Sequence, residues 1–326
     1  MEPLGEGNAH GLNQMFMNRA AIKLANIDAI LDFHLTAAPV ENFMFVDLCG
    51  APGGFSEYIV KRLQSTRVSG SCRGYGMSLT GNNEHGRGTD WKLDNFQEQT
   101  GAFRVNYRVS GGTDGTGDIY RWENVMAMVE GIKHDYQAAS LPPTKSHLVL
   151  ADGGFDAQRD SECQEELAQK LVVCEMASAL YLLERGGIFV IKMFGFQTSL
   201  IRSAMHSMSD CFEQISAIKP ISSRPASSER YVVFRGFRGL PHGWDGPKWM
   251  NNVLLERAAI KPPLEYRFLD AYLDQFDQDM LNLNLKACFA ILSELERKAA
   301  SGEMGNGNTF HHPSLNIELY QESWRL

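Results

Sequence analysis

The chain reads as an α/β protein: a doubly wound, mainly parallel sheet with an antiparallel last strand, plus a mostly helical C-terminal extension. Short apolar runs bounded by glycine or asparagine alternate with helical patterns as far as about Gly239, as strand–helix–strand units do. One such run ends in an acidic residue, Phe45-Val46-Asp47, and leads at once into a glycine turn, Gly50-Ala51-Pro52-Gly53-Gly54; ligands of open sheets bind at strand ends of this kind. The last two runs, residues 211–218 and 231–237, have little chain between them, so they are expected to pair antiparallel.

The elements follow in order. Residues 13–33 carry Leu24, Ile27 and Leu31 at helical spacing among good helix formers,. Residues 43–48 form a buried parallel strand, and Gly53-Gly54 opens a helix to about Leu63. Residues 73–79 are a second strand. The glycine-rich stretches 81–90 and 111–117 are loops, and residues 123–133 a helix. Residues 147–151 are a strand ending at Asp152-Gly153-Gly154. Residues 162–185 are expected as one long helix stopped by Gly186-Gly187, before a strand at 188–193. Past a boundary near 240, residues 264–298 show helical periodicity through Leu269, Leu273, Phe276, Met280 and Leu283. The predicted organisation is a flexible terminus (1–12), a main domain (13–239) and a helical extension packed on it (240–326).

Composition limits the function classes. With 326 residues, one large domain with an appendage is accommodated,. No run of eighteen apolar residues predicts a membrane span, and the polar N-terminus lacks a signal-peptide pattern. The expected setting is intracellular: nucleus for a cellular protein, cytoplasm or virion for a viral one. The six cysteines form no CxxC pair or zinc-spaced cluster,, so they are read as reduced and structural, with no metal site. A net charge of −8 counts mildly against nucleic acid, but phosphate contact needs only a local basic face. Arg202, Lys219, Arg224, Arg230, Arg235 and Arg238 supply such material.

The glycine turn carries the cofactor argument. It lacks the GxGxxG fingerprint of a dinucleotide site and the lysine of a phosphate-binding loop, and Pro52 removes a backbone donor. A ligand without phosphates, such as S-adenosylmethionine, fits better. The second strand ends without a carboxylate, so Asp118 is assigned to the adenosine half; the alternative is a helix cap for a segment starting near Arg121. Asp152 and Lys192 each end an apolar strand, Glu229 opens the last one, and Lys23 lies in the first helix.

Five stretches resemble the FtsJ-like (RrmJ-type) 2′-O-ribose methyltransferases, and among them the mRNA cap-1 enzymes. They are Phe16-Met17-Asn18-Arg19-Ala20-Ala21-Ile22-Lys23; residues 46–58, with Asp47, Cys49, Gly50, Ala51, Pro52, Gly53, Gly54 and Phe55; Gly115-Thr116-Gly117-Asp118-Ile119; Ala151-Asp152-Gly153-Gly154-Phe155; and residues 221–233, with Arg224, Ser227, Glu229 and Arg230. The resemblance implies a Rossmann-like methyltransferase sheet and a Lys-Asp-Lys-Glu tetrad at Lys23, Asp152, Lys192 and Glu229, with Lys192 as general base and no metal requirement. It places the cofactor, released as S-adenosylhomocysteine, against Asn18, Asp47, residues 49–55, Asp118 and Ile119. It implies substrate contacts at Glu162 and Ser227, with Arg224 and Arg230 flanking the RNA entrance.

A ribose hydroxyl is a weak nucleophile, so the base must lose its proton. Lys23 beside Lys192 is expected to depress the latter's pKa by like-charge repulsion, and transfer to rise between about pH 6 and 8.5. The substrate implied is capped mRNA, with other capping or transcription machinery as possible partners and no membrane. Alternatives are another RNA (ribosomal, small nuclear, or a later cap nucleotide), a non-catalytic RNA-binding scaffold, and a nicotinamide oxidoreductase, which the glycine loop disfavours.

Overall fold

The computed structural model describes residues 15–37, 41–83, 86–96, 101–139, 145–154, 163–240, 242–249 and 266–301. Its elements run α1 (Arg19–Ile30), β1 (Asn42–Leu48), α2 (Gly54–Thr66), β2 (Ser69–Met77), β3 (Ala102–Val109), α3 (Trp122–Ala138), β4 (Ser146–Ala151), α4 (Gln164–Leu182), β5 (Leu183–Met193), α5 (Ser199–Cys211), β6 (Phe212–Ile218), β7 (Arg230–Phe237) and α6 (Arg267–Ala300). The seven strands form one sheet in the order β3-β2-β1-β4-β5-β7-β6. The first five are parallel, and β7 runs antiparallel between β5 and β6. A two-stranded hairpin pairs Asn82–Asn83 with Gly86–Arg87, inside the stretch expected as loop.

The central strand explains the layering. Every residue of β1 after Asn42 is buried, because strands flank it on both edges and helices cover both faces. Phe43 and Phe45 join the core with Leu24 and Ile27 of α1 and Tyr58 and Ile59 of α2. Met44, Val46 and Leu48 point to the other face, packing with residues of α3, α4 and α5. The period-two alternation of a strand thus feeds two cores.

Four expectations change. The first helix is regular only from Arg19, where Asn18 caps it by accepting from the N–H of Ala20 at 3.0 Å. The long helix ends at Leu182, not Arg185. Leu183 already pairs with Ser146, and the two glycines lie inside β5 at a register shift, acting as a strand irregularity rather than a helix stop. Strand β3 and helix α5 were not anticipated. In α6 only the N-terminal half packs: Leu273 and Met280 are buried, whereas Leu283 is exposed.

Helix α6 is fastened by polar contacts as well. The guanidinium of Arg202 in α5 donates to the carbonyl of Asp270 at 3.1 Å and also pairs with Asp274. The N–H of Ala217, in β6 at the sheet edge, donates to the Tyr272 hydroxyl at 2.7 Å, which satisfies a backbone group an edge leaves open.

Candidate active site

The turn after β1 is shaped by its glycines. Gly53 holds φ at 108°, a conformation that side chains with a Cβ rarely adopt. A Cβ on Gly50 would lie 2.0 Å from Asp47 Oδ1, and one on Gly54 would lie 2.1 Å from Asn18 Oδ1. Asn18 and Asp47 therefore both reach the turn. Cys49, also in the left-handed region, and the Ala51-Pro52 peptide complete it. Phe55 is buried beside Tyr231, centroid to centroid 6.0 Å.

Asp47 is fully buried. Its Oδ2 accepts from the Ser56 hydroxyl at 2.6 Å, and its Oδ1 has no hydrogen-bond partner among the described residues. Burial, helped by the charge of Asp152, pushes its pKa up to about 7. A buried carboxylate with a spare acceptor repels a pyrophosphate and suits a ligand that brings donors and positive charge. S-adenosylmethionine, with its ammonium and sulfonium, fits this cradle.

Asp118 lies in the loop after β3. Its Oδ1 accepts from the N–H of Tyr120 at 2.9 Å, while α3 starts at Trp122 with no side-chain cap. The cap alternative is therefore not what the fold uses. Ile119 is buried in the core shared by α3 and α4.

The four charged residues converge as two ion pairs. Because β4 and β5 run parallel with Ala151 opposite Ile191, Asp152 and Lys192 leave neighbouring strand ends. Lys192 Nζ donates to the carbonyl of Asp152 at 2.9 Å and lies 3.2 Å from its Oδ1. Antiparallel β7 begins at the same edge, with Tyr231 opposite Lys192. Glu229, just before it, meets Lys23 of α1 at 2.7 Å. Each lysine is thus matched to a carboxylate, which corrects the expected like-charge repulsion. Burial works against the charge of Lys192, but Asp152, Glu229 and Glu175 outweigh it and leave the pKa raised. Glu229 moves down: burial opposes its charge, and Lys23 and Lys192 overcome that.

Two groups have no role assigned from the sequence, and a third, Lys219, reads there only as material for a basic face. The Tyr231 hydroxyl donates to Asp152 Oδ1 at 2.9 Å. Glu175 of α4 is fully buried behind the Asp152-Gly153 turn; its Oε1 accepts from the N–H of Gly153 at 3.2 Å, and it also bonds the Cys49 thiol. Burial pushes Glu175 up to about 8. Lys219, after β6, donates to the carbonyls of Ser227 and Glu229, both at 2.7 Å. No sequence spacing marks these residues, because each finds its partner through the fold.

The raised carboxylates give a sign to stability. Asp47 and Glu175 bind protons in the fold at pH values where the unfolded chain has lost them. Their stabilising contribution is complete below about pH 4 and is lost as pH rises through about 7 and about 8 respectively,. Cofactor-free protein is expected to be less stable to urea at pH 8.5 than at pH 6, by several kcal/mol on an order-of-magnitude reckoning of about 1.4 kcal/mol per pKa unit. Equal stability at the two values would contradict burial of the two carboxylates.

The residues expected to contact RNA divide. Arg224 is exposed, and its charge reaches exposed Arg19, whose pKa falls through burial first and Arg224 second. Ser227 accepts from the N–H of Glu229 through its hydroxyl at 3.2 Å. Arg230 corrects the expectation: its guanidinium is buried, paired with Asp277 of α6 and set against the rings of Phe196 and Phe276. It fastens α6 rather than flanking an entrance. Arg202 is likewise taken up by α6, so much of the expected basic face is spent on internal pairs. Glu162 and Phe155 lie outside the described residues. Among those described, no group of three His, Cys, Asp or Glu could hold a metal ion, and no helix is long and apolar enough to cross a membrane.

The chain is a methyltransferase by family, and its sheet is mostly parallel with one antiparallel strand at the end, as expected. The model of the FtsJ-like methyltransferase family matches residues 16–237, and the chain belongs to that family. Similar curated proteins are named cap-specific mRNA (nucleoside-2′-O-)-methyltransferase 1. Those of mouse and human are each 35% identical over 235 residues, covering 68% of this chain and 26% of their own length. The Drosophila melanogaster protein is 36% identical over 231 residues, covering 68% and 27%. The chain thus spans about a quarter of the length of these relatives.

Proposed function

We propose that the chain methylates the ribose 2′-hydroxyl of the first transcribed nucleotide of N7-methylguanosine-capped mRNA. The observation that carries this reading is the Lys192–Asp152 pair at 3.2 Å beside the Lys23–Glu229 pair at 2.7 Å, set at the sheet edge that holds the glycine cradle. The names of the relatives point to a ribose 2′-oxygen of capped mRNA.

Asn18, Asp47, residues 49–55, Asp118 and Ile119 would hold S-adenosylmethionine, which would supply an electrophilic methyl on its sulfonium, with S-adenosylhomocysteine as the product. The chain's own residues handle the acceptor. Lys192 takes the 2′-hydroxyl proton on Nζ. Asp152, held by Tyr231, aims that amine and stabilises the ammonium that results. Lys23 and Glu229 fix the opposite wall and present cationic charge without a net excess. A bound cofactor cation near Lys192 would lower its pKa by like-charge repulsion, against the raising effect of the carboxylates, and its neutral form would gain population. The tetrad performs this chemistry with side chains alone and asks for no metal. Exposed Arg19 and Arg224 suit contact with RNA phosphates.

A raised pKa leaves little neutral Lys192 at pH 7, so the active fraction grows about ten-fold per pH unit. Single-turnover transfer is expected to climb from pH 6 and to continue past 8.5, later than residue types alone suggest. A profile flat from pH 6 to 9 would exclude Lys192 as base. The acceptor is tested directly with capped RNA whose first nucleotide is 2′-deoxy. It should bind and take no methyl; label on that RNA would contradict the proposal.

A further inference from the structure

Residues 219–229 form the loop between β6 and β7 that carries Arg224, Ser227 and Glu229. Lys219 sits at its start, half-buried, with its ammonium turned into the loop. Nζ donates to the carbonyl of Ser227 at 2.7 Å, the carbonyl of Glu229 at 2.7 Å and the hydroxyl of Ser223 at 3.1 Å. The Ser223 hydroxyl in turn donates to Glu229 Oε1 at 2.9 Å. Three donors thus meet three acceptors, and one of them relays to a tetrad carboxylate. The outer side of the loop is tied to α1, through Ile221 N–H to Asn26 Oδ1 at 2.7 Å and the Arg19 guanidinium to the Ser222 carbonyl at 3.1 Å.

From this arrangement we propose that Lys219 is a positioning residue for substrate RNA: its ammonium pins the loop so that Arg224, Ser227 and Glu229 face the acceptor nucleotide in one geometry. The proposal rests on the RNA reading above. Carbonyls gathered around one ammonium cannot keep their arrangement when it is lost, because a neutral amine has only two hydrogens for three acceptors. A buried carbonyl facing a lone pair is costly, so the loop relaxes.

The charge of Lys219 is finely balanced. Burial lowers its pKa most; Glu229 opposes that, and Arg230 and Lys23 lower it further, to about 8. The ammonium persists below that value and is lost above it. The pinned loop therefore belongs to neutral pH, and RNA is gripped less well as pH passes through about 8, while neutral Lys192 becomes more abundant. The two titrations act on different parameters: Lys219 on the KM for RNA, Lys192 on the rate of the chemical step.

The test compares wild type with Lys219→Met, which keeps the stem and removes every donor, using a short capped RNA between pH 7 and 9. In wild type the KM for RNA should rise several-fold across this range. In Lys219→Met it should be raised about ten-fold already at pH 7 and be insensitive to pH, with cofactor affinity by calorimetry unchanged. An unchanged KM in that variant, or a fall in cofactor affinity alongside it, would overturn the positioning role. Should the variant not fold, the wild-type series decides alone, since a KM flat from pH 7 to 9 also overturns it. Wild type that turns over no RNA would sink the parent reading and this one together; RNA turnover without the KM signature sinks this one only.

Discussion

Lys192→Ala is expected to lower methyl transfer by roughly 10²–10⁴-fold or more, with cofactor binding kept within a few-fold. The Lys192 ammonium is held by Asp152, whereas Asn18 caps α1 beside the glycine turn, so removing the Lys192 side chain is expected to spare the cradle. The cost falls on proton removal and on Asp152, which loses its pairing cation. Lys192→Arg separates these two effects. Arginine restores a cation for Asp152 but stays protonated at any working pH, so it should recover stability and not activity. Full activity in either variant, measured as single-turnover transfer to capped RNA, would remove Lys192 from the mechanism.

Asp277→Ala is expected to cost about 3–5 kcal/mol of unfolding free energy. Its partner Arg230 has a side chain only 6% exposed and is set against Phe196 and Phe276. Without Asp277 that guanidinium keeps its burial and loses its counter-charge. The variant also frees the N–H of Phe196, which now donates to Asp277 Oδ2 at 3.2 Å. Urea denaturation reads the loss. The double variant Arg230→Met with Asp277→Leu should regain much of it, since a buried ion pair exchanged for apolar groups of similar size is often neutral. A loss below about 1 kcal/mol, the range of exposed pairs, would mean that the Arg230–Asp277 pair does not fasten α6.

The central strands and the glycine turn were legible because each carries its signal within a few neighbouring positions; that Lys23, Asp152, Lys192 and Glu229 belong together came from the resemblance, since each alone reads as an ordinary charged residue. Two elements carried such a signal and were passed over. Strand β3 alternates Phe103, Val105 and Tyr107 inward with polar residues outward, and α5 has Thr198 as its cap followed by Ile201, Ala204, Met205 and Met208 at helical spacing. The glycines at 186–187 misled for a physical reason: the same residue that stops a helix also permits a strand irregularity, and only pairing with β4 decides between them.

The electrostatics were not legible. That Lys192 and Lys23 sit at one edge could be inferred, but not that each would have its own carboxylate, which reverses the direction of the Lys192 shift. Glu175 lies in the middle of a helix and reads there as an ordinary polar residue; only the packing of α4 beneath Gly153 and Cys49 buries it. Arg230 stands in the motif that points to RNA, yet its partner lies 47 residues further on.

The central claim is tested most directly by incubating the protein with methyl-labelled S-adenosylmethionine and a short RNA, either capped with N7-methylguanosine or uncapped, then digesting with nucleases to locate the label. The account predicts label on the ribose of the first nucleotide of the capped RNA alone. Label on uncapped RNA or at internal riboses would keep the tetrad chemistry and contradict the cap-1 assignment, and label on a base would contradict the ribose mechanism itself.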